Sequence, residues 1–292
     1  MHLSITSLNN TTSYGRGRTE QMRQHTVKYF SVALAGIEAV SADSDIAFGR
    51  HSHDQFGIGY MDTGGQKSLS GRGIVESFPG DIITVNPGEV HDGRPLDGPR
   101  SWRMLYFDTE LISRCFADIS EGKFCCGEFS FPVLTDDRLA AHFNRLYSSV
   151  IRGDRDGPGL AADESMLTII SALAQIPALP VKVPLAGVLS ARERIDDEPA
   201  DSVTLSALAT IAGVSQYQFL RAFAQHSGMT PHAYLLQRRL SLVRQLIAGG
   251  MALADAALNA GFADQSHMTR LFVRSYGYTP GHYARQVSKT FT

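Results

Sequence analysis

The 292-residue chain is poor in cysteine and tryptophan and has no long apolar run. Its three cysteines, Cys115, Cys125 and Cys126, are odd in number and lack zinc-ligand spacing, so we expect free thiols rather than disulfides or a zinc site. No apolar stretch approaches the ~20 residues that a membrane helix needs. The polar N-terminus also lacks the apolar segment of a signal peptide. We therefore expect a cytoplasmic protein that has no membrane partner.

Acidic residues are scarce at the C-terminal end of the chain. The sequence has 27 Lys and Arg against 29 Asp and Glu, a net charge of −2. Residues 203–292 contain eight basic and two acidic residues and thus carry +6, which leaves −8 on residues 1–202. A basic C-terminal part on an acidic body predicts that the C-terminal part binds a polyanion.

The first half of the chain predicts a β-rich domain. Residues 1–26 are polar without periodicity, and we expect a flexible arm. Residues 27–176 are predicted to form one domain, whose first part has short apolar runs separated by Gly, Pro and Asp. Such runs, from about residue 32 to 107, predict an antiparallel sandwich or small barrel.

Helical periodicity follows the predicted strands. Apolar residues three or four apart predict helices at about 137–150 and 160–176. Both are apolar enough that either a dimer contact or burial within the domain is expected. Three prolines in residues 177–187 predict a semi-rigid linker, and residues 188–292 are predicted to form a second, helical domain.

That second domain contains one pattern twice, at Leu205–Pro231 and Leu253–Pro280. Each copy predicts a short apolar helix, a glycine turn at Gly213 or Gly261 that needs a positive φ, and a second helix. This is the sequence form of a helix-turn-helix, and a long helix at 231–248 is predicted to connect the two. A helical repeat that binds no nucleic acid is the alternative.

The C-terminal hundred residues resemble the AraC/XylS family of bacterial transcription regulators. The matching features are the paired helix-turn-helix, the connecting helix and the ending GFADQSHMTRLFVRSYGYTPGHYAR. Met268 stands where the family usually has an aromatic residue. The segments HSHDQFGIGYMDTGG and GDIITVNPGEVHDGRP resemble, more weakly, the cupin-like effector domain of such regulators. The resemblance implies an α+β protein in which a cupin-like antiparallel β-barrel and helices precede an all-α domain with two helix-turn-helix motifs.

In this family-like arrangement, the second helix of each copy enters a major groove. The two helices then lie about one DNA turn (~34 Å) apart on one face of the duplex. Arg and Gln side chains can bind guanine and adenine through two hydrogen bonds. The candidate DNA contacts are Gln216, Tyr217, Gln218, Arg221, Gln265, Ser266, Thr269 and Arg270, with Arg238 and Arg274 as candidate phosphate contacts. A solvated surface role is the alternative for each. Leu220 stands where some relatives present a polar side chain, so the first helix is expected to contact fewer bases.

Three histidines in the first domain suggest a binding site. His51 and His53 are two residues apart on a predicted strand and thus point to one side, where His91 could join them. With Tyr60 and Trp102 they are the candidate effector contacts. Such a trio can hold a metal, but the carboxylate that metal cupins place after the pair, with three or four residues in between, is missing. Gly57 and Ile58 occupy those positions, so we expect effector or structural contacts, no cofactor and no catalysis.

Three functional hypotheses follow. The first is a transcription regulator, an activator by family resemblance, that binds double-stranded promoter DNA and a small-molecule effector. RNA polymerase and a second copy of the chain are further candidate partners. The alternative is a metal-dependent cupin enzyme fused to a DNA-binding domain. The third is an architectural DNA-binding protein that needs no effector.

Overall fold

The computed structural model describes residues 25–30, 32, 35–152, 159–175 and 183–288. The chain divides into two compact units, Met1–Leu179 and Pro180–Thr292. Residues 1–24 of the predicted arm and residues 177–182 of the predicted linker lie outside the described residues.

The N-terminal unit contains two antiparallel sheets. The first has the strand order β1-β2-β9-β4-β7-β10 and the second the order β3-β8-β5-β6. The strands are β1 (His25–Phe30), β2 (Ile37–Ser44), β3 (Phe48–His51), β4 (Phe56–Thr63), β5 (Gln66–Ser70), β6 (Gly73–Ser77), β7 (Ile82–Val85), β8 (His91–Pro95), β9 (Arg100–Phe107) and β10 (Val133–Leu134). The prediction of a cupin-like antiparallel fold is confirmed, although β1 begins two residues inside the predicted arm.

Three helices complete this unit: α1 (Thr109–Ile119), α2 (Asp137–Arg152) and α3 (Leu160–Ala174). Helix α1 was not predicted from the sequence, although its buried residues follow helical spacing: Ile112, Cys115, Phe116 and Ile119. Helix α2 packs on the first sheet, where the Tyr147 hydroxyl donates a hydrogen bond to the Val40 carbonyl at 3.1 Å. Most of the apolar side chains of α3 are buried within the unit, which favours burial within the domain over a dimer contact.

The three cysteines are free thiols, with Cys115 buried and the other two exposed. Burial raises the pKa of the Cys115 thiol to about 12, so this thiol is unreactive at neutral pH. In the part of the chain that the structure describes, no helix combines the length and the apolar composition needed to cross a membrane.

The C-terminal unit is helical throughout its described elements. They are α4 (Leu185–Asp197), α5 (Leu205–Ala212), α6 (Gln216–Ser227), α7 (Pro231–Ala248), α8 (Leu253–Asn259), α9 (Gln265–Tyr276) and α10 (Pro280–Ser288). Thr204, Ser215, Thr230 and Asp264 cap the starts of α5, α6, α7 and α9 by accepting backbone N–H bonds. Helix α4 begins at Leu185, inside the predicted linker, because Pro184 can precede a helix without costing a hydrogen bond.

One glycine turn joins the two helices of each pair. Gly213 ends α5 with φ 70°, and Gly261 follows α8 with φ 81°, which confirms the predicted left-handed conformations. The connecting helix α7 has the predicted bounds, and its Leu240, Val243 and Ile247 lie in the core of the second pair with Met268. The C-terminal unit therefore holds two helix-turn-helix motifs, α5–α6 and α8–α9, around α7.

Candidate effector pocket and nucleic-acid interface

A pocket of about 360 Å³ lies between the two sheets of the N-terminal unit, large enough for a small metabolite. Its apolar walls include Val40, Phe48, Trp102 and Met104. A Cβ atom at Gly59 of β4 would lie only 2.8 Å from Ile83 Cγ1 and 2.9 Å from the Arg103 carbonyl oxygen, so only glycine fits there. An apolar cavity with a few convergent polar groups is the usual form of a small-molecule site.

Three histidines form a polar cluster in this pocket. His51, which ends β3, pairs directly with His91, which begins β8, and their ring centroids are 4.3 Å apart. The carbonyl oxygen of His53 accepts a hydrogen bond from Gly88 N at 2.7 Å, which holds His53 beside them. One ring nitrogen from each histidine lies within 4.8 Å of the other two. The structure thus brings together the three histidines that the sequence singled out.

Burial keeps two of these rings neutral. It lowers the pKa of His53 below the ordinary 6.5, and the nearby His91 and His51 rings lower it further against the opposing charge of Asp54. Burial also lowers the pKa of His91, against the hydrogen bond that it makes to the Glu89 carbonyl. Both rings are therefore neutral at pH 7, with a lone pair available on one nitrogen.

Arg100 places a positive charge behind the pocket wall. Its side chain is 0% exposed, and its guanidinium carbon lies 4.8 Å from the ring centroid of Trp102. Burial lowers the pKa of Arg100 to about 10, so the side chain stays charged at neutral pH. It donates hydrogen bonds to Gln66 Oε1 and to the carbonyl oxygens of Ser44, Ile46 and Gly93, at 2.7–3.3 Å.

Tyr60, predicted as an effector contact, does not line this pocket. Tyr60 of β4 pairs with Arg103 of β9, whereas the pocket-lining Trp102 and Met104 point to the opposite face because side chains alternate along a strand. The Tyr60 ring stacks on Phe143 of α2 at a centroid distance of 6.0 Å. Tyr60 therefore belongs to the contact between sheet and helix. Tyr106, on the pocket side of β9, lines the cavity instead.

The donor set of the cluster suits a transition metal, because imidazole binds Zn²⁺, Cu²⁺, Ni²⁺ and iron. Among the described residues, no carboxylate joins the three histidines. The two acidic residues next to His91 along the chain have other partners: Glu89 accepts a hydrogen bond from Gly71 N, and Asp92 accepts one from Leu69 N. The residues fit a metal held by three imidazoles with its remaining positions open.

Helix α6 presents a narrow polar face. Tyr217, Arg221 and Gln225 lie one turn apart on the side opposite the buried Phe219 and Phe223. The Arg221 guanidinium carbon lies 5.8 Å from the Tyr217 ring centroid. Gln225 is exposed and was missed by the sequence analysis, although the i, i+4, i+8 spacing from Tyr217 identifies it.

Two side chains of α6 differ from expectation. Gln218 Oε1 accepts a hydrogen bond from Ser215 N at 3.3 Å, and Ser215 Oγ accepts one from Gln218 N at 3.2 Å. This reciprocal capping box engages the amide group that was assigned to a base contact, so its helix-capping role competes with that assignment. Leu220 is 6% exposed and packs in the core, so its position is not a surface position at all.

Helix α9 presents the broader face. Met268 and Phe272 are buried, while Gln265, Ser266, Arg270 and Arg274 are exposed on the other side, with Thr269 half-buried between them. Asp264 accepts a hydrogen bond from His267 N at 2.7 Å, and this bond lowers the pKa of the Asp264 carboxyl.

Two arginines outside these faces have intramolecular partners. Arg238 Nε lies 2.7 Å from Asp196 Oδ1, so its predicted phosphate contact competes with an ion pair. Arg239 donates hydrogen bonds to the carbonyl oxygens of Pro199 and Gly261 and thereby ties the chain after α4 to the second glycine turn.

A second cavity, of about 370 Å³, lies near Asp196. Its walls are mainly acidic and polar, so it fits an apolar metabolite less well than the pocket between the sheets does.

Comparisons with known proteins agree with this architecture. The model of the AraC-like ligand binding domain matches residues 34–170, and a helix-turn-helix domain model matches residues 208–286. The uncharacterized HTH-type transcriptional regulator YbfI of Bacillus subtilis (strain 168) is 30% identical over 234 residues, covering 76% of this chain and 81% of YbfI. The HTH-type transcriptional activator RhaS of Escherichia coli O81 (strain ED1a) is 33% identical over 278 residues, covering 88% of this chain and 94% of RhaS. An AraC-type regulator structure from Chromobacterium violaceum is 24% identical over 35% of this chain and 93% of its own, with a TM-score of 0.34.

A ligand-binding domain followed by two helix-turn-helix motifs defines a regulator that carries sensor and DNA-binding parts in one chain. The chain belongs to the AraC/XylS family of transcription regulators. It is a DNA-binding regulator that responds to a small-molecule effector.

Proposed function

We propose that this protein activates transcription, with α6 and α9 inserted in successive major grooves and the effector bound between the two sheets. The observation that supports the DNA-binding part best is the pair of equivalent polar faces. Tyr217, Arg221 and Gln225 on α6 correspond, at an offset of 49, to Ser266, Arg270 and Arg274 on α9. Their position opposite each helix's buried side allows both faces to meet one duplex.

The two faces differ in the contacts that we assign to them. On α6, Arg221 is the proposed base contact, with Tyr217 packed against its guanidinium, and Gln216 at the start of the helix is a second candidate. On α9, Gln265, Ser266 and Thr269 are proposed base contacts. Arg270 and Arg274 are exposed and placed one turn apart, where they can bind phosphates on either side of the groove.

Effector control requires only a difference in affinity. A ligand bound in the pocket changes DNA binding to the extent that it binds the DNA-bound form more tightly than the free form. We propose activation because the relative that matches nearly the whole chain, RhaS, is named an activator. RNA polymerase is then a proposed partner. A homodimer is also proposed, although most of the apolar side chains of α3 are already buried in their own unit.

The alternative of a metal-dependent enzyme fused to a DNA-binding domain draws on the histidine cluster. We do not adopt it, because the relatives that cover most of this chain are named as transcription regulators. The pocket is accordingly treated as a sensor site.

Replacing Arg221 with alanine is expected to lower affinity for the operator about tenfold or more, because a bidentate arginine–guanine contact contributes ~1–3 kcal/mol of discrimination. Affinity for a random duplex should fall less than about threefold, since one lost charge weakens nonspecific binding only modestly. The operator is first selected from a randomised duplex pool with the full chain, and affinities are then measured by fluorescence anisotropy at one fixed salt concentration.

The matched control is Arg138→Ala, which removes the same charge from an exposed site in the N-terminal unit. This control should leave both affinities unchanged. Equal losses of Arg221→Ala on operator and random duplex would remove the base contact from the proposal.

A further inference from the structure

We propose that His51, His53 and His91 hold one divalent transition-metal ion, and that an anionic group of the effector completes its coordination. This inference rests on the proposed effector role of the pocket for its second half only. Metal binding by the three rings does not depend on DNA binding and is tested without DNA. It also revises the expectation, drawn from sequence, that the pocket needs no metal.

The backbone already sets the rings for such a role. His51 Nδ1 lies 2.8 Å from the Gly49 carbonyl oxygen, and His91 Nδ1 lies 3.0 Å from the Glu89 carbonyl oxygen. A carbonyl oxygen can only accept, so Nδ1 carries a hydrogen in both rings, and Nε2 is the nitrogen that can bind a metal. Metal-binding histidines almost always donate their second nitrogen to a carbonyl or carboxylate in this way.

The positions of the three rings are fixed by β-strand pairing rather than by a loop alone. His51 and His91 are direct partners across β3 and β8, and the Gly88–His53 backbone hydrogen bond ties the third ring to the turn before β8. Nitrogens that bind one ion at ~2.1 Å lie roughly 3–3.5 Å apart. The present separations of up to 4.8 Å therefore require the nitrogens to approach one another by roughly 1–2 Å. His51 is exposed and can rotate to do so.

The charge of the cluster predicts what occupies the remaining positions. Three neutral imidazoles leave the full +2 charge of the ion uncompensated, and among the described residues no carboxylate joins the cluster. The buried cation Arg100 adds positive charge behind Trp102. A small anion with one or two donor oxygen or nitrogen atoms and an apolar body matches both the ion and the apolar walls formed by Val40, Phe48 and Met104.

The first test uses Co²⁺ as the probe ion, added to the metal-free full chain. We expect one Co²⁺ per chain, visible absorption bands typical of nitrogen coordination, and quenching of the fluorescence of Trp102, the single tryptophan. His53→Ala and His91→Ala should each weaken Co²⁺ binding about 100-fold or more, since even outer contacts to metal ligands are worth 10–100-fold. The control His226→Ala removes an exposed histidine from the C-terminal unit and should bind Co²⁺ as the parent does.

Two results would overturn the metal site: no stoichiometric Co²⁺ binding by the parent, or binding that the His53 and His91 substitutions leave unchanged. Thermal unfolding of the metal-free variants, together with His53→Gln, separates loss of a ligand from loss of the fold. For the open positions, azide and acetohydroxamate are added to the Co²⁺ protein. A shift of the visible bands supports an anion-accepting site, whereas unchanged bands with both anions would contradict it.

Discussion

Replacing Arg100 with methionine is expected to lower the free energy of unfolding of the N-terminal unit by about 3–5 kcal/mol. Methionine fills a similar volume but leaves the acceptors of Arg100 without donors, including the carbonyl oxygens of Ser44 and Gly93. Each buried acceptor left unpaired costs ~1–3 kcal/mol, and the relief from no longer burying a cation offsets part of that sum. Urea unfolding followed by the fluorescence of Trp102 measures the change within this unit.

The control for this substitution is Arg94→Met on the preceding strand β8, where the side chain is exposed. It should change stability by less than about 0.5 kcal/mol, as surface substitutions usually do. A loss of less than about 1 kcal/mol for Arg100→Met would show that its buried hydrogen bonds do not hold the two sheets around the pocket.

Replacing Gly261 with alanine is expected to destabilise the α8–α9 pair by about 3–4 kcal/mol. A left-handed backbone costs a non-glycine residue ~1–2 kcal/mol. In addition, the new Cβ would lie 2.5 Å from the Ala200 carbonyl oxygen, and the backbone shift needed to relieve this contact costs ~1–3 kcal/mol more. Hydrogen exchange of the amides in α8 and α9 measures the loss.

Gly213→Ala is the matched control, because Gly213 occupies the same place in the first copy and has a similar φ of 70°. A Cβ there meets nothing within 4 Å, so only the backbone cost of ~1–2 kcal/mol is expected. Equal effects of the two substitutions would mean that the contact of Gly261 with the chain after α4 has no energetic role.

The sequence predicted the helical unit closely because its signals are local. The glycine turns and the bounds of α7 follow from residue types whose backbone preferences hold in most surroundings. The repeat supplied a second copy of the glycine-turn signal, at Gly261. Helix α1 was not predicted although its apolar residues have helical spacing, because it directly follows a run of predicted strands.

Side-chain direction was harder to predict. Tyr60 faces α2 because of its register against Arg103, and register depends on strand pairing that no short stretch of sequence specifies. Gln218 and Arg238 have partners at Ser215 and Asp196 that only the folded unit brings into reach. The histidine cluster was anticipated as a group, whereas the carbonyl partners of its rings required the structure.

The central claim is that α6 and α9 of one chain bind one face of a single duplex. Its most direct test is the affinity of the full chain for the selected operator, with the two half-sites at their selected spacing or separated by about five further base pairs, half a helical turn. We predict that the insertion lowers affinity about 100-fold, to that of an operator with one half-site, because the second helix then faces the wrong side of the duplex. An affinity unchanged by the insertion would contradict simultaneous binding by both helices.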